Sequence, residues 1–218
     1  MELEEAKKAS YHLLELGCGQ GVVARSLPQG VRYTGVDLSP SLIREARGRK
    51  KSPLHLFEVA DATQPLSLPA EGYSHVLIVL ALQNMEELGG LFANCSHCLQ
   101  KGGKLLLVIN HPCFRIPRQS SWGFDEAKKI QYRRIERYMS PLKVPIATHP
   151  GRSASPDTWS FHDPLSGLLA PLFHYGFAVD ALEEWCSDKK SEGGAAKWEN
   201  RAREEIPLFM ALRCRKWP

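Results

Sequence analysis

An α/β chain with a largely parallel sheet is predicted by three observations. Short runs rich in Leu, Val and Ile recur along the 218 residues, helical stretches separate them, and Gly or Ser-Pro punctuation marks the changeovers. Six or seven strands can be placed: Tyr11 to Leu16, Tyr33 to Asp37, Leu54 to Val59, His75 to Ala81, Lys104 to Asn110, Ala178 to Glu183 and Leu208 to Arg213. Ser39-Pro40 opens a helix running to Arg49, since Pro suits a first helical turn. A second helix covers Glu86 to Leu99 and stops before Gly102-Gly103, which leads into the fifth strand.

From His111 to Pro164 the alternation gives way to a basic, aromatic, Pro-rich stretch of 54 residues, too long for an ordinary connection between a strand and a helix. The expectation is one domain over 1–218, with 111–164 as an inserted lid or substrate-binding subdomain. Within it, Asp125 to Met139 reads as a basic amphipathic helix with Ile130, Arg133, Arg134 and Arg137 on its faces, while Pro141, Pro145, Pro150 and Pro156 mark loops.

Composition narrows the classes. With 43% hydrophobic and 24% charged residues, disorder, collagen and coiled coil drop out. The longest apolar run, Val76 to Leu82, is seven residues, far short of the ~20 that span a bilayer. The opening MELEEAKKAS carries no secretory signal, so a cytoplasmic location is expected and the six cysteines are read as reduced thiols. Cys95-Ser-His-Cys98 has ligand-like spacing but no second pair at a matching distance, so no metal is expected. The net charge is +4, yet residues 111–152 hold nine Lys/Arg against three Asp/Glu, which makes a local basic surface.

The chemistry is concentrated at the strand ends. The first strand runs into Glu15-Leu16-Gly17-Cys18-Gly19-Gln20-Gly21, a glycine turn that lets a nucleotide-like ligand approach the backbone. Its third glycine comes one residue too early for a dinucleotide fingerprint, and Val22 occupies the place of that fingerprint's third small residue. Asp37 ends the second strand, in Gly35-Val36-Asp37-Leu38-Ser39-Pro40, where a carboxylate accepts hydrogen bonds from ribose hydroxyls. Asp61-Ala62 ends the third, placed to meet the exocyclic amine of an adenine.

Through LELGCGQG, GVDLSP, Asp61-Ala62 and the Gly102-Gly103-Lys104-Leu105 lead-in, residues 11–110 resemble the class I S-adenosylmethionine-dependent methyltransferases. The resemblance resumes at Gly176-Phe177. It is nearest the small-molecule group of ubiquinone and menaquinone biosynthesis. It implies a Rossmann-like, seven-stranded, mostly parallel sheet with one antiparallel strand and helices on both faces. It also implies S-adenosylmethionine as cofactor, with S-adenosylhomocysteine as product. The cofactor would be held by Gly17, Cys18, Gly19 and Gly21 of the turn, Asp37, Leu38, Asp61 and Ala62, with Glu15 assisting the methionine amino group. Gln83, in Leu82-Gln83-Asn84 after the fourth strand, would edge the methyl-donor site.

The acceptor is less constrained. The Asn/Asp-Pro-Pro-Tyr/Phe motif of enzymes that methylate amines is replaced after the fourth strand by Ala81-Leu82-Gln83-Asn84. Asn110-His111-Pro112-Cys113-Phe114 is a partial look-alike in the wrong place. Thr158 to Ser166 is similar to the last third of many small-molecule methyltransferases, where a strand and loop enter a helix beneath the acceptor pocket. His162 and His111 are the candidate bases, because a neutral imidazole removes a proton from a phenol or enol near neutral pH. Trp122, Tyr132 and Trp159 are expected to form an aromatic wall. Only ten residues precede the first strand, where similar enzymes carry a helical cover, so the insertion or the partner in a homodimer is expected to close the pocket. The preferred expectation is C-methylation of a prenylated quinol, with the basic insertion meeting an anionic membrane surface. The alternatives are RNA methylation, with Lys128, Lys129, Arg133, Arg134 and Arg137 tracking phosphates, and a non-catalytic cofactor-binding scaffold.

Overall fold

The computed structural model describes residues 11–147 and 157–217. Seven strands form the main sheet: β1 (His12–Leu16), β2 (Arg32–Asp37), β3 (His55–Val59), β4 (Tyr73–Val79), β5 (Leu99–Asn110), β10 (Phe177–Trp185) and β11 (Phe209–Lys216). Their order is β10-β11-β5-β4-β1-β2-β3, and β11 runs antiparallel to both of its neighbours while β1 to β5 pair in parallel. The order reverses at β1, which opens a crevice outside the carboxyl ends of the strands.

Alternation along the strands divides the core into two faces. Leu14, Leu16, Val76, Ile78, Leu105 and Leu107 pack with α3 (Leu88–Cys98) and α4 (Leu165–His174). Tyr33 and Phe57 pack on the other face with α1 (Val22–Ser26) and α2 (Pro40–Gly48), whose buried residues are Ala24, Ile43 and Ala46. Ser39 caps α2 by accepting the Leu42 N–H, and Pro40 occupies its first turn. Among the described residues no helix is long and apolar enough to cross a membrane.

Several boundaries differ from expectation, and β4 and β5 are the ones that bear on the site. β4 starts two residues early and stops at Val79, because Leu80 takes a left-handed φ of 52° and the chain then turns through Leu82–Asn84. β5 begins at Leu99, five residues before the expected Lys104; Gly102, with φ of 72°, is absorbed inside the strand.

The insertion departs more. The expected helix from Asp125 to Met139 does not form; β6 (Ser120–Asp125) and β7 (Ile130–Ile135) make an antiparallel hairpin there. The physical reason is a period of two. Ile130, Tyr132 and Arg134 face solvent while Gln131, Arg133 and Ile135 turn inward, and Lys129, with φ of 51°, closes the turn. β8 (Leu142–Ala147) pairs with β9 (Asp157–His162) in a second hairpin that contains Pro145. The loops expected at Pro150 and Pro156 lie outside the described residues. Phe124 stacks on Trp198 of α5 (Ala196–Glu205), ring centroids 5.3 Å apart, and Lys143 pairs with Glu86 at 2.7 Å, so both hairpins are anchored to the sheet domain.

Candidate functional site

The glycine turn after β1 is shaped by its contacts. Gly17, Gly19 and Gly21 all have positive φ, at 78°, 53° and 72°. A Cβ on Gly17 would meet the Ala81 Cβ at 2.4 Å, and one on Gly21 would meet the Phe57 ring at 2.9 Å. Above Gly19 there is nothing within 4 Å, which leaves the turn open on the side that faces the crevice. Asp37 joins the turn to the second strand end, with one carboxylate oxygen accepting the Gly19 N–H at 2.8 Å and the other the Ser39 N–H at 2.9 Å. A carboxylate offers about four lone-pair sites, so both oxygens can still accept hydroxyls. Leu38 beside it is exposed, an apolar surface at the crevice edge.

Asp61 is held as firmly. One oxygen accepts the Thr63 N–H at 2.9 Å and the Thr63 hydroxyl at 2.7 Å. Behind this loop, the buried Asn94 of α3 donates to the carbonyls of Ala62 and Gln64 and accepts the Leu66 N–H. A Cβ on Gly90 would lie 1.9 Å from the Thr63 oxygen, so helix and loop touch through a glycine. Ala62 is buried in the core beneath this loop.

Glu15 and Cys18 face inward. Glu15 is 3% exposed, its carboxylate accepts the Tyr33 hydroxyl, and burial pushes its pKa up to about 7 against the help of that hydrogen bond. The Cys18 Sγ is packed so close to Gly35 that a Cβ there would sit 2.8 Å away, and burial raises its pKa far above neutrality. The thiol is therefore inert, and Cys18 serves the turn through its backbone, which donates to the Val36 carbonyl at 3.0 Å.

Next to the turn lies an open-mouthed cleft with about 40 Å³ of enclosed space. Leu82, Met85, Leu88, Ile109, Phe161 and Leu168 supply an apolar wall, and Gln83, Asn110, Arg115, His162 and Asp163 supply the polar groups. Met85 borders both turn and cavity: it lines the cavity, and its Cε lies 3.2 Å from where a Gly17 Cβ would be. Gln83 donates to the Leu80 carbonyl at 2.6 Å, and its buried Oε1 has no partner among the described residues.

The two candidate bases separate. His162, 6% exposed, lines the cavity, and its Nε2 lies 2.8 Å from the Tyr138 carbonyl. A carbonyl only accepts, so Nε2 carries the proton and the lone pair of the neutral ring is on Nδ1. His111 is absent from the cavity lining, and both of its nitrogens are committed. Nδ1 accepts the Cys113 N–H at 3.1 Å, and Nε2 meets Glu184 at 2.7 Å. It holds the loop after β5 and has no lone pair left to act as a base.

The aromatic wall is not assembled as expected. Trp122 lies under the Arg133 guanidinium at 5.2 Å, Tyr132 covers Gly123 on the hairpin, and Trp159 lies under Lys143 at 5.2 Å. None of the three lines the cavity; Phe161, one pleat on from Trp159, takes that place. Sequence reasoning missed Arg115, Asp163 and Tyr138. Tyr138 gathers three contacts: its carbonyl faces His162, and its hydroxyl accepts the Leu165 N–H at 3.0 Å and the Cys113 thiol at 3.6 Å. The one available signal was for Arg115, which sits between Pro112 and Pro117 just past a strand end.

A glycine turn, two strand-end carboxylates and this strand order define the class I methyltransferase fold. Residues 14–107 match the family described as a methyltransferase domain. The chain is 27% identical over 107 residues to a demethylmenaquinone methyltransferase of Tropheryma whipplei, a match covering 48% of this chain and 44% of that protein. It therefore spans less than half the length of the curated relatives it matches. Among solved structures, a putative S-adenosylmethionine-dependent methyltransferase from Listeria monocytogenes superposes with a TM-score of 0.73 at 21% identity, over 100% of this chain and 98% of that one. A Mesorhizobium loti methyltransferase gives 0.72 at 24%, over 95% and 91%.

Proposed function

We propose that this chain is an S-adenosylmethionine-dependent methyltransferase acting on a small molecule, with its acceptor in the cavity beside the glycine turn. The carrying observation is that Met85 borders both the glycine turn and the cavity. The residues present fit the cofactor: the space over Gly19 is open, Asp37 has acceptor capacity for ribose hydroxyls, Asp61 for an adenine amine, and Leu38 offers an apolar edge. Bound there, S-adenosylmethionine supplies an electrophilic methyl group on sulfonium sulfur.

The chain's own part is to align, to exclude water and to take a proton. The apolar wall, the loop after β5 and the end of β9 exclude water, which gives the 111–164 insertion its role as cover; six of the thirteen residues lining the cavity belong to it. His162 removes the acceptor proton through Nδ1 while Nε2 stays tied to Tyr138. Gln83 Oε1 orients the acceptor's polar group at the boundary of the two spaces.

A prenylated quinone precursor, methylated on carbon, is the acceptor we favour. The named activity of the Tropheryma relative supports it, and so does the apolar cavity. The exposed Lys128 and Lys129 at the β6–β7 turn would face an anionic bilayer in which such an acceptor resides. The deciding experiment transfers labelled methyl from S-adenosylmethionine into a cell extract separated into lipid, RNA, protein and small polar fractions, with Asp37→Ala as control. Label in lipid, lost in the variant, is expected. Label in RNA would overturn the acceptor class, and tight cofactor binding with no transfer anywhere would leave a binding scaffold.

A further inference from the structure

We propose that the acceptor carries an oxyanion, a carboxylate or a phosphate, beside its apolar body, and that Arg115 at the cavity mouth is the cation that selects it. The inference rests on the cavity being the acceptor site, and it narrows the favoured prenylated precursor to one whose ring still carries an anionic group. Arg115 lines that cavity with its guanidinium 4.8 Å over the Phe209 ring, and among the described residues it has no carboxylate partner. A second cation stands behind it. Arg133 donates to the Phe114 carbonyl and the Ser120 hydroxyl, both at 2.7 Å, and covers Trp122; all of these partners are neutral. Burial, and after it the charge of Arg115, pushes the Arg133 pKa down, so the two guanidinium groups lie within electrostatic reach of each other.

Two carboxylates stand nearby, and neither is within ion-pair distance of Arg115. Glu184 is hydrogen-bonded to His111. Asp163 also lines the cavity, with its Oδ1 3.7 Å from where a Gly167 Cβ would be, at the first turn of α4, whose dipole stabilises that negative charge in place. Arg115 thus meets the cavity as a guanidinium without a carboxylate of its own, next to an apolar wall.

The position is also built in advance. The Arg115 N–H donates to the His111 carbonyl at 2.8 Å, the His111 ring is fixed at both nitrogens, and Arg133 clamps the Phe114 carbonyl one residue away. The guanidinium of Arg115 is thus presented from a loop tied on both sides. A planar fork held this way suits a two-oxygen anion better than a neutral hydroxyl.

The test measures binding of three probes of one shape to the full chain saturated with S-adenosylhomocysteine: para-butylbenzoate, para-butylphenyl phosphate and para-butylbenzyl alcohol. Wild type should bind at least one anion about tenfold or more tighter than the alcohol. The tighter anion names the group. Arg115→Leu should erase that preference, Arg115→Lys should keep part of it, and neither should change S-adenosylhomocysteine affinity, which also reports folding. Equal binding of acid and alcohol, no anion binding, or a preference surviving in Arg115→Leu would overturn the inference. Failure of wild type to bind S-adenosylhomocysteine would instead overturn the methyltransferase proposal, and the same probes titrated against the ligand-free chain still decide the anion preference.

Discussion

A neutral imidazole takes a proton only through its lone pair, and the two histidines of the insertion differ in where theirs is spent. His162→Ala should lower the turnover of methyl transfer by about 10²- to 10⁴-fold with cofactor affinity unchanged, measured by stopped assays and calorimetry. His111→Ala should instead weaken acceptor binding by loosening the Arg115 loop. Both histidines were visible in the sequence as bases of equal standing; what separates them is the Cys113 N–H and Glu184, a local turn and a partner 73 residues away. Glu15 gives a prediction about pH. Burial raises its folded pKa from the ordinary 4.5 to about 7, so the site is most stable with the proton on, and this contribution is fully present below 4.5 and is lost as pH rises through 7. Glu15→Gln should therefore gain little at pH 5 and about 3 kcal/mol over wild type at pH 8, read from urea unfolding midpoints.

Elements differ in how far local sequence commits them. β1, β2 and β3 end within a residue of expectation because each ends on chemistry that punctuates it: a glycine turn, Asp37-Leu38-Ser39-Pro40 and Asp61-Ala62. The stretch from Asp125 to Met139 carries no such mark. Its arginines satisfy a helical face and an alternating strand equally, and the pairing of Trp122 with Arg133 and Gly123 with Tyr132 decides for the hairpin. Contact between elements is as specific. Gly90→Ala should force α3 away from the Asp61 loop, at about 1–3 kcal/mol in thermal or chemical unfolding, and should weaken S-adenosylhomocysteine binding as Asp61 shifts. An unchanged affinity would mean that Asp61 does not hold the ligand.

Across the whole molecule, the proposed donor and acceptor sites draw on different stretches of chain. The turn, Asp37 and Asp61 lie at the ends of β1 to β3, whereas the cavity joins Leu82, Gln83, Met85 and Leu88 after β4 to Arg115, Phe161, His162 and Asp163 beyond β5. The first group was visible in the sequence because each residue sits in a short motif at a strand end. The second was largely not, because its members meet only when the loop after β5 and the β9 strand fold back over the sheet. Removing the β6–β7 hairpin, with Asp125–Ile130 and its flanking strands replaced by a short glycine linker, should leave the seven-stranded sheet folded and S-adenosylhomocysteine bound while acceptor turnover is lost. Circular dichroism, calorimetry and methyl transfer together read the three outcomes.

The strand order has a consequence for how such a protein can change. β5 is twelve residues long, forms the seam between the parallel strands and β11, and delivers the chain to the insertion after the strands that carry the proposed donor residues. Six of the thirteen residues lining the cavity lie in the insertion and the other seven on the sheet domain, so substrate preference is divided between an exchangeable cassette and a fixed wall. A graft of residues 111–164 from a relative with another acceptor should therefore carry only part of that acceptor's preference, with Gln83 and its apolar neighbours supplying the rest.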